Sequence, residues 1–443
     1  MKFRFSAVSM VLIFNIIAFS LLCFYPGVDY GRLLCAMGII CVVTLATYAL
    51  IYFFDLGDPY PFLMVTMLSS LSIIILYSLG IQQSAEYDNP SKSLILIAEN
   101  QLKWFLVGVG IFYISYFVYR FFKKWAKLGI IYVGATIALF AVTLIFAKTL
   151  GGARNWVEIA GIGIQPSEII KLCFCFAMAY FLSRKSRLTG FKSKLLGFSR
   201  EDIYMTLFVY VCLGLFLIQG ELGTAVLFFF VYFVMMVVYD VPLVLPLANL
   251  GAVALGVLAV IFLEDYVGAF ARAMDRVRIW LDPEVYHFRA ELGKPQGTQQ
   301  IYESLKAICS GGYFGTGLGK SGAHDIWVIE SDLVFSAICY EMGIFMGFAI
   351  IMIYFILSYR GCKIAMEVNE PFDRALALTL VASLAGQAFI IIGGVTKMIP
   401  LTGITMPYVS AGGSSMTVSF AMLGILTAIS HKREKSQLQV DKM

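Results

Sequence analysis

The chain is 443 residues long, 60% hydrophobic and only 14% charged, with a formal net charge of +5 at pH 7 and a mean hydropathy of +0.84. Soluble domains run about 25% charged, so this composition excludes a water-soluble globule and predicts an all-α polytopic membrane helix bundle. The nine cysteines fall mostly inside apolar runs and include no CxxC pair, which excludes a disulfide framework and a thiolate zinc site. His287, His324 and His431 are scattered, so no histidine metal cluster is expected, and the modest positive charge requires no nucleic-acid partner.

Twelve apolar stretches are long enough to cross a bilayer, at about 6–25, 33–54, 61–81, 103–121, 129–147, 167–183, 202–219, 222–239, 243–263, 332–358, 373–396 and 405–430. No small-x-small cleavage site follows the first, and Leu22 stands where a lipoprotein signal needs a small residue. It therefore reads as a retained helix. Alternating the spans gathers MKFR, Arg120, Lys123, Lys124, Lys127, Arg184, Lys185, Arg187, Lys192, Lys194, Arg200, Arg360, Lys363, Arg374 and the tail HKREKSQLQVDKM on one side. The positive-inside rule makes that side cytoplasmic, with both termini inside. The basic 184–200 loop reads as a solvated face near anionic membrane lipids. The organisation expected is a two-helix N-terminal extension (1–54), a membrane domain (55–430) carrying a large extracytoplasmic loop (264–331), and a basic tail (431–443). There is no internal repeat.

Four unusual segments then share the outer face: GGARNWVEIAGIGIQPSE (151–168), QGELGTA (219–225), the loop 264–331, and IPLTGITMPYVSAGGSS (399–415). In the first, Gln165 or Ser167 can cap a helix whose first turn holds Pro166. Glu168 and Lys171, three apart, share a helix face, and charges at membrane level must be paired or line a wet cavity. They read as a structural ion pair or as part of an anion site in which Arg154 and Lys171 hold phosphate. Glu221 precedes a helix, a position the helix dipole alone favours. Asp332 opens another, and Glu341 lies roughly 13 Å along it, near mid-bilayer. A carboxylate there needs a partner or a raised pKa, so function and an interhelical hydrogen bond are both open. The run SGGYFGTGLGKS (310–321) lets backbone approach a ligand closely, but GxxxxGK[ST] is absent in register, so it is no P-loop. Pro400 and Pro407 bend the last segment, and Ser410, Gly412, Gly413, Ser414 and Ser415 make a polar turn. Non-helical backbone at that depth predicts a cavity.

Taken together, GARNW…IQPSEIIKL, GELGTA, LDP…QGTQQIYESLKAICSGGYFGTGLGKS, SDLVFSAICYEMG and IPLTGITMPYVSAGGSS resemble, in order over about residues 61–430, the SEDS family of bacterial membrane proteins, which includes RodA, FtsW and SpoVE. The resemblance implies a ten-helix core in the bacterial cytoplasmic membrane, preceded here by two extra helices. It implies a glycosyltransferase that polymerises lipid II into peptidoglycan strands and works beside a class B penicillin-binding protein. Such a reaction needs a base for the acceptor hydroxyl. It also needs cations for the pyrophosphate leaving group, from the protein or from a divalent ion, Mg²⁺ or Mn²⁺. The substrate-binding candidates are Arg154, Gln165, Ser167, Glu168, Lys171, Glu221, Asp332, Glu341, Ser410, Gly412, Gly413 and Ser414.

This chain departs from the family pattern at several points. Lys294, in KPQGTQQIYES, aligns with the family's loop aspartate. The candidate base then moves to Asp282, in the matching LDP, or to Glu291, with Lys294 itself serving only if its pKa were strongly lowered. Glu221 replaces a usual aspartate, and WVIESD (327–332) replaces a run ending His-Thr-Asp. Two further readings stay open. One is a polymerase-dead scaffold binding a penicillin-binding protein or a lipid-linked precursor. The other is a transporter of such precursors, which would need deep polar residues along a path to both faces, a requirement that only Glu341 clearly fits.

Overall fold

The computed structural model describes residues 5–25, 28–87, 93–150, 153–159, 162–185, 199–242, 244–266, 268–282 and 297–440. An N-terminal pair, α1 (Phe5–Leu22) and α2 (Tyr30–Phe53), precedes α3 (Tyr60–Glu86), α4 (Leu94–Phe121), α5 (Gly129–Phe146), α6 (Pro166–Lys185), α7 (Arg200–Gln219), α8 (Leu222–Val238) and α9 (Val244–Leu263). The long loop contributes α10 (Gly268–Leu281) and α11 (Gly297–Gly311). The chain then closes with α12 (Val334–Met366), α13 (Pro371–Val395) and α14 (Gly413–Val440). Among the described residues ten helices are long and apolar enough to cross a membrane, and α1 and α8 are shorter apolar helices. Together they account for the twelve expected spans.

Helix ends fall where the local chemistry stops or starts them. Asp29 caps α2 by accepting from the Gly31 and Arg32 amides at 3.0 and 3.3 Å. Ser199 and Asp202 form a reciprocal capping box at the start of α7. Gly220, at φ 80°, ends α7 and sends the chain directly into α8.

The inside of the bundle is built from α3, α13 and α14, whose apolar windows are 89%, 83% and 83% buried, against 11% for the peripheral α9. α14 packs on α4, and α13 lies against both α12 and α6. Small residues permit the α4–α14 approach: a Cβ on Gly108 would lie 2.5 Å from the Phe420 ring, and one on Gly424 2.2 Å from Ser115 Oγ. At the end opposite the long loop, Arg360 pairs with Asp58 at 2.9 Å and Lys432 with Asp373 at 2.6 Å. These contacts join α12 to the entry of α3 and α14 to α13.

Three features differ from the expected pattern. The segment before α6 forms a small antiparallel sheet, β1 (Lys148–Leu150), β2 (Ala153–Ile159) and β3 (Ile162–Ile164), in the order β1-β2-β3. Thr149 pairs with Arg154 and Val157 with Ile164. The sequence carries Gly-Gly and Ala-Gly pairs between these short runs, turn chemistry that a search for long apolar spans passes over. The last helix starts at Gly413 rather than near residue 405, because two prolines and Gly403 (φ 67°) hold the preceding stretch out of helical geometry. α12 is broken at Gly343, where φ is 80° and ψ 169°.

Candidate active site

The four polar segments meet at the end of the bundle that bears the long loop. The Gln165 amide donates to Ser414 Oγ at 3.1 Å, and Ser167 Oγ donates to Glu221 Oε1 at 3.4 Å. Arg276 Nη1 donates to the Thr402 carbonyl at 3.4 Å, and the Ala411 amide to the Glu330 carbonyl at 2.9 Å.

An ion pair on α6 forms the first part of the site. Pro166 pre-sets the first turn, Glu168 lies where the dipole favours an acid, and Lys171 follows on the same face. Lys171 is 2% exposed. Its ammonium donates to Glu168 Oε2 and, at 2.6 Å, to Gln387 Oε1 on α13. Gln387 Nε2 donates in turn to the Thr405 carbonyl at 2.8 Å, and Thr405 Oγ1 donates to Ser415 Oγ at 2.8 Å. A buried ammonium is tolerable only with partners of this kind. The pair is thereby wired to the 399–415 stretch.

Glu221 sits beside this pair in the turn between α7 and α8. It is buried and accepts from Ser167, from Thr224 Oγ1 at 3.3 Å, and from Asn155 and Gln165. Burial pushes its carboxyl up to about 6, while these hydrogen bonds act in the opposite direction. The neighbouring Gln219 amide is buried with neither of its atoms hydrogen-bonded among the described residues.

Asp332 lies in the turn before α12, next to Glu330 and Arg276. Enclosure by protein pushes its carboxyl up to about 6, Ser331 and Arg276 lower it, and the Glu330 charge raises it further. Ser410 stitches this turn to the 399–415 stretch: its Oγ donates to the Ser331 carbonyl at 2.6 Å and accepts from the Met406 amide at 2.8 Å. Gln101, on α4, donates to the Ser410 carbonyl at 3.1 Å and accepts from the Gly412 amide at 3.4 Å. Gly413 fits against α4 because a Cβ there would lie 2.4 Å from the Trp104 ring.

Glu341, 1% exposed, accepts from Ser78, from Gln82 and, at 3.0 Å, from Ser321. The glycine-rich run folds down onto it. The Gly317 amide donates to the Glu341 carbonyl at 2.9 Å, the Gly319 amide to Ser78 Oγ at 2.7 Å, and the Ile344 amide to the Gly312 carbonyl at 3.0 Å. A Cβ on Gly315 would lie 2.1 Å from the Glu341 carbonyl oxygen. Two of these glycines, Gly311 and Gly315, admit the broken backbone of α12 at close range. The Tyr25 hydroxyl, from the N-terminal pair, reaches the Leu318 carbonyl of the same run.

The remaining expected residues fall elsewhere. Asp282 is exposed just past the end of α10. Glu291 and Lys294 lie outside the described residues, as does the side chain of Arg154, whose backbone belongs to β2. Conversely, Gln387, Gln101, Asn155 and Arg276 were not among the expected residues. Only Gln387 carried a signal, as a lone amide deep in the apolar run VASLAGQAFIIIGG.

A bundle of long apolar helices, with an ion pair and several carboxylates gathered under a folded-back loop at one end, defines a multi-pass membrane protein with its polar site at one surface. The model of the FtsW/RodA/SpoVE family, described as "Cell cycle protein", matches residues 59–435, and the chain belongs to that bacterial family. It is 31% identical over 385 residues to the peptidoglycan glycosyltransferase RodA of Mycobacterium tuberculosis, covering 84% of this chain and 78% of that one. It is 28% identical over 373 residues to stage V sporulation protein E of Bacillus subtilis, covering 82% and 94%. Two solved structures share the fold. Thermus thermophilus RodA superposes with a TM-score of 0.57 at 21% identity, over 85% of this chain and 97% of the other. A protein of a peptidoglycan synthase complex that coordinates polymerization and crosslinking gives 0.64 at 23% identity, over 85% and 98%.

Proposed function

We propose that this chain is a peptidoglycan glycosyltransferase that polymerises lipid II into glycan strands at the outer face of the bacterial cytoplasmic membrane. The observation that carries the reading is the family match over residues 59–435, with 31% identity to a protein named peptidoglycan glycosyltransferase RodA. By the positive-inside rule both termini are cytoplasmic, and the polar end of the bundle faces outward. In the reaction the acceptor hydroxyl attacks the donor sugar's anomeric carbon, a base takes the hydroxyl proton, and undecaprenyl pyrophosphate leaves with the bonding electrons.

Lys171, held by Glu168 and Gln387, is the fixed cation for the pyrophosphate. Asp332 and Glu221, with carboxyls raised to about 6, suit proton transfer near neutral pH. We assign the base to Asp332, because it lies in the turn that joins the long loop to the 399–415 stretch. Lys294 in place of the family's aspartate leaves the loop without an acid at that point, with Asp282 and Glu291, both upstream of it, as the loop's candidate carboxylates. Mg²⁺ or Mn²⁺, if bound with the substrate, would supply further charge for the leaving pyrophosphate. The fold shared with a protein of a peptidoglycan synthase complex supports a class B penicillin-binding protein as the crosslinking partner.

The test is glycan-strand synthesis by the purified chain from lipid II in liposomes, with Mg²⁺ or Mn²⁺ and a candidate penicillin-binding protein. Polymer from wild type, lost in Asp332→Asn and kept in Asp282→Ala and Glu291→Ala, supports the assignment. Loss in Asp282→Ala or Glu291→Ala, with Asp332→Asn active, moves the base to the loop. No polymer from wild type, but polymer from Lys294→Asp, makes the chain an inactivated relative retained for binding its partner or a lipid-linked precursor.

A further inference from the structure

We infer that Glu86, His324 and Asp325 form a site for a borderline divalent cation, best matched by Zn²⁺, that pins the long loop to the outer end of α3. None of the three residues takes part in the proposed polymerase chemistry. Glu86 is the last residue of α3, and His324 and Asp325 belong to a 3₁₀ turn (Ala323–Asp325) in the long loop. The three donor atoms all lie within 4.8 Å of one another. His324 Nε2 is 2.9 Å from Glu86 Oε2 and 3.6 Å from Asp325 Oδ1. Donors bound to tetrahedral zinc at about 2.0–2.2 Å sit roughly 3.4 Å apart, so small side-chain shifts would admit the ion.

The imidazole is already oriented for this. Its side chain is 3% exposed, and its ring meets Tyr87 edge-to-face at 6.1 Å. Tyr87 in turn donates from its hydroxyl to Asp325 Oδ1 at 3.2 Å, the kind of outer contact that fixes a metal ligand. His324 Nδ1 is buried and has no hydrogen-bond partner among the described residues. It can keep the ring proton while Nε2 offers its lone pair. The carboxylates, at 57% and 56% exposure, are open to ions and leave a fourth position to water.

Charge favours the same site. Two carboxylates face one imidazole, which neutralises at most one of them and only when protonated, whereas a divalent ion balances both. Glu86 also sits at the C-terminal end of α3, where the helix dipole disfavours an acid and favours a cation. One nitrogen with two oxygen donors suits Zn²⁺ better than Mg²⁺ or Ca²⁺, which prefer all-oxygen sites. An ion here would also brace the loop over Glu341. The residues just before the turn reach α3 and α12: the Gly322 amide donates to Gln82 Oε1 at 2.8 Å, and Ser321 Oγ to Glu341 Oε1 at 3.0 Å.

The test uses the full chain in detergent, carrying an affinity tag free of histidine and stripped with EDTA. It is titrated with Zn²⁺ by calorimetry and with Co²⁺ followed by visible absorption. We expect one equivalent of Zn²⁺ in the presence of millimolar Mg²⁺, and a Co²⁺ spectrum of low-coordinate form. His324→Ala should abolish both signals, and Glu86→Gln should weaken Zn²⁺ binding at least tenfold. His287→Ala, which removes an imidazole elsewhere in the chain, should change neither. Glu86 is largely exposed, so Glu86→Gln decides the matter even if His324→Ala fails to fold. Absence of binding by wild type overturns the inference, and so does wild-type affinity in Glu86→Gln.

Discussion

Replacing Lys171 by Met separates the charge of this residue from its bulk. Lys171 is 2% exposed, and the side chain of its partner Glu168 is 9% exposed. Methionine keeps the apolar stem and deletes the ammonium. Glu168 Oε2 and Gln387 Oε1, both acceptors of the same ammonium, would then face each other with no donor between them. Stripping one partner from a buried ion pair destabilises by about 3–5 kcal/mol, and the lost hydrogen bond to Gln387 adds about 1 kcal/mol. Glu168→Gln alone strands the ammonium and should destabilise by a similar amount. The double variant Glu168→Gln, Lys171→Met removes both charges at nearly constant volume. Neutral replacement of a buried pair is often close to neutral, so it should unfold within about 2 kcal/mol of wild type. The assay is SDS-induced unfolding in mixed micelles, followed by circular dichroism, with the four proteins arranged as a double-mutant cycle. Additive single effects, with coupling below about 0.5 kcal/mol, would refute the pairing. Glycan synthesis should be lost in Lys171→Met and in the double variant alike, and activity in the stable double variant would refute the role given to the ammonium.

Three other outcomes follow from the geometry. Gly343→Ala places a Cβ at φ 80°, ψ 169°, where it would lie 2.2 Å from the Tyr313 carbonyl oxygen. This region is open essentially to glycine alone, so unfolding should cost at least about 2 kcal/mol less than in wild type, and equal stability in the SDS assay would count against the docked loop. Glu221 has a folded pKa of about 6, raised from 4.5. It therefore binds its proton more tightly folded than unfolded, and its contribution to stability is full below about pH 4.5 and lost as pH rises through about 6. Glu221→Gln should flatten the fall in stability across that window, and an unchanged pH profile would show that the carboxyl is not enclosed. Asp332→Asn should lower polymerase activity by about 100-fold or more, as expected for loss of a general base, and wild-type activity should fall as pH drops below about 6. A wild-type rate that is flat from pH 5 to 8 would exclude Asp332 from proton transfer.

What was legible in the sequence and what was not divide along contact range. The apolar spans were legible because bilayer length imposes long uninterrupted hydrophobic runs. Glu168 and Lys171 were legible as a pair because three residues on one helix fix their proximity whatever surrounds them. Gln387 was not, since it meets Lys171 across 216 residues of chain. Gly343 looked like an ordinary helix glycine in YEMGIFMG. Its positive φ is set by the glycine run 312–317, which supplies hydrogen-bond partners to the opened turn of α12. The scattered histidines likewise concealed His324, because its neighbours Glu86 and Asp325 are brought together only by the folded loop.

The 399–415 stretch shows why a chain this apolar keeps a bent, proline-containing segment at the membrane edge. In a helix its carbonyls would accept from amides four residues on and be closed to other partners. Held open, they serve the surrounding elements instead. The Thr402 carbonyl accepts from Arg276 of α10, Thr405 from Gln387 of α13, Pro407 from the Tyr354 hydroxyl of α12, and Ser410 from Gln101 of α4. One irregular segment thus accepts hydrogen bonds from polar groups of four helices at the edge of an apolar surround. It also places Thr405, on the Lys171 network, five residues from Ser410, which holds the Asp332 turn. A shift in this backbone would move the leaving-group cation and the assigned base together. Ser410→Ala should accordingly impair glycan synthesis well beyond its effect on stability, which is about 1 kcal/mol for one hydroxyl. Equal small losses in both would mean that the stretch only packs.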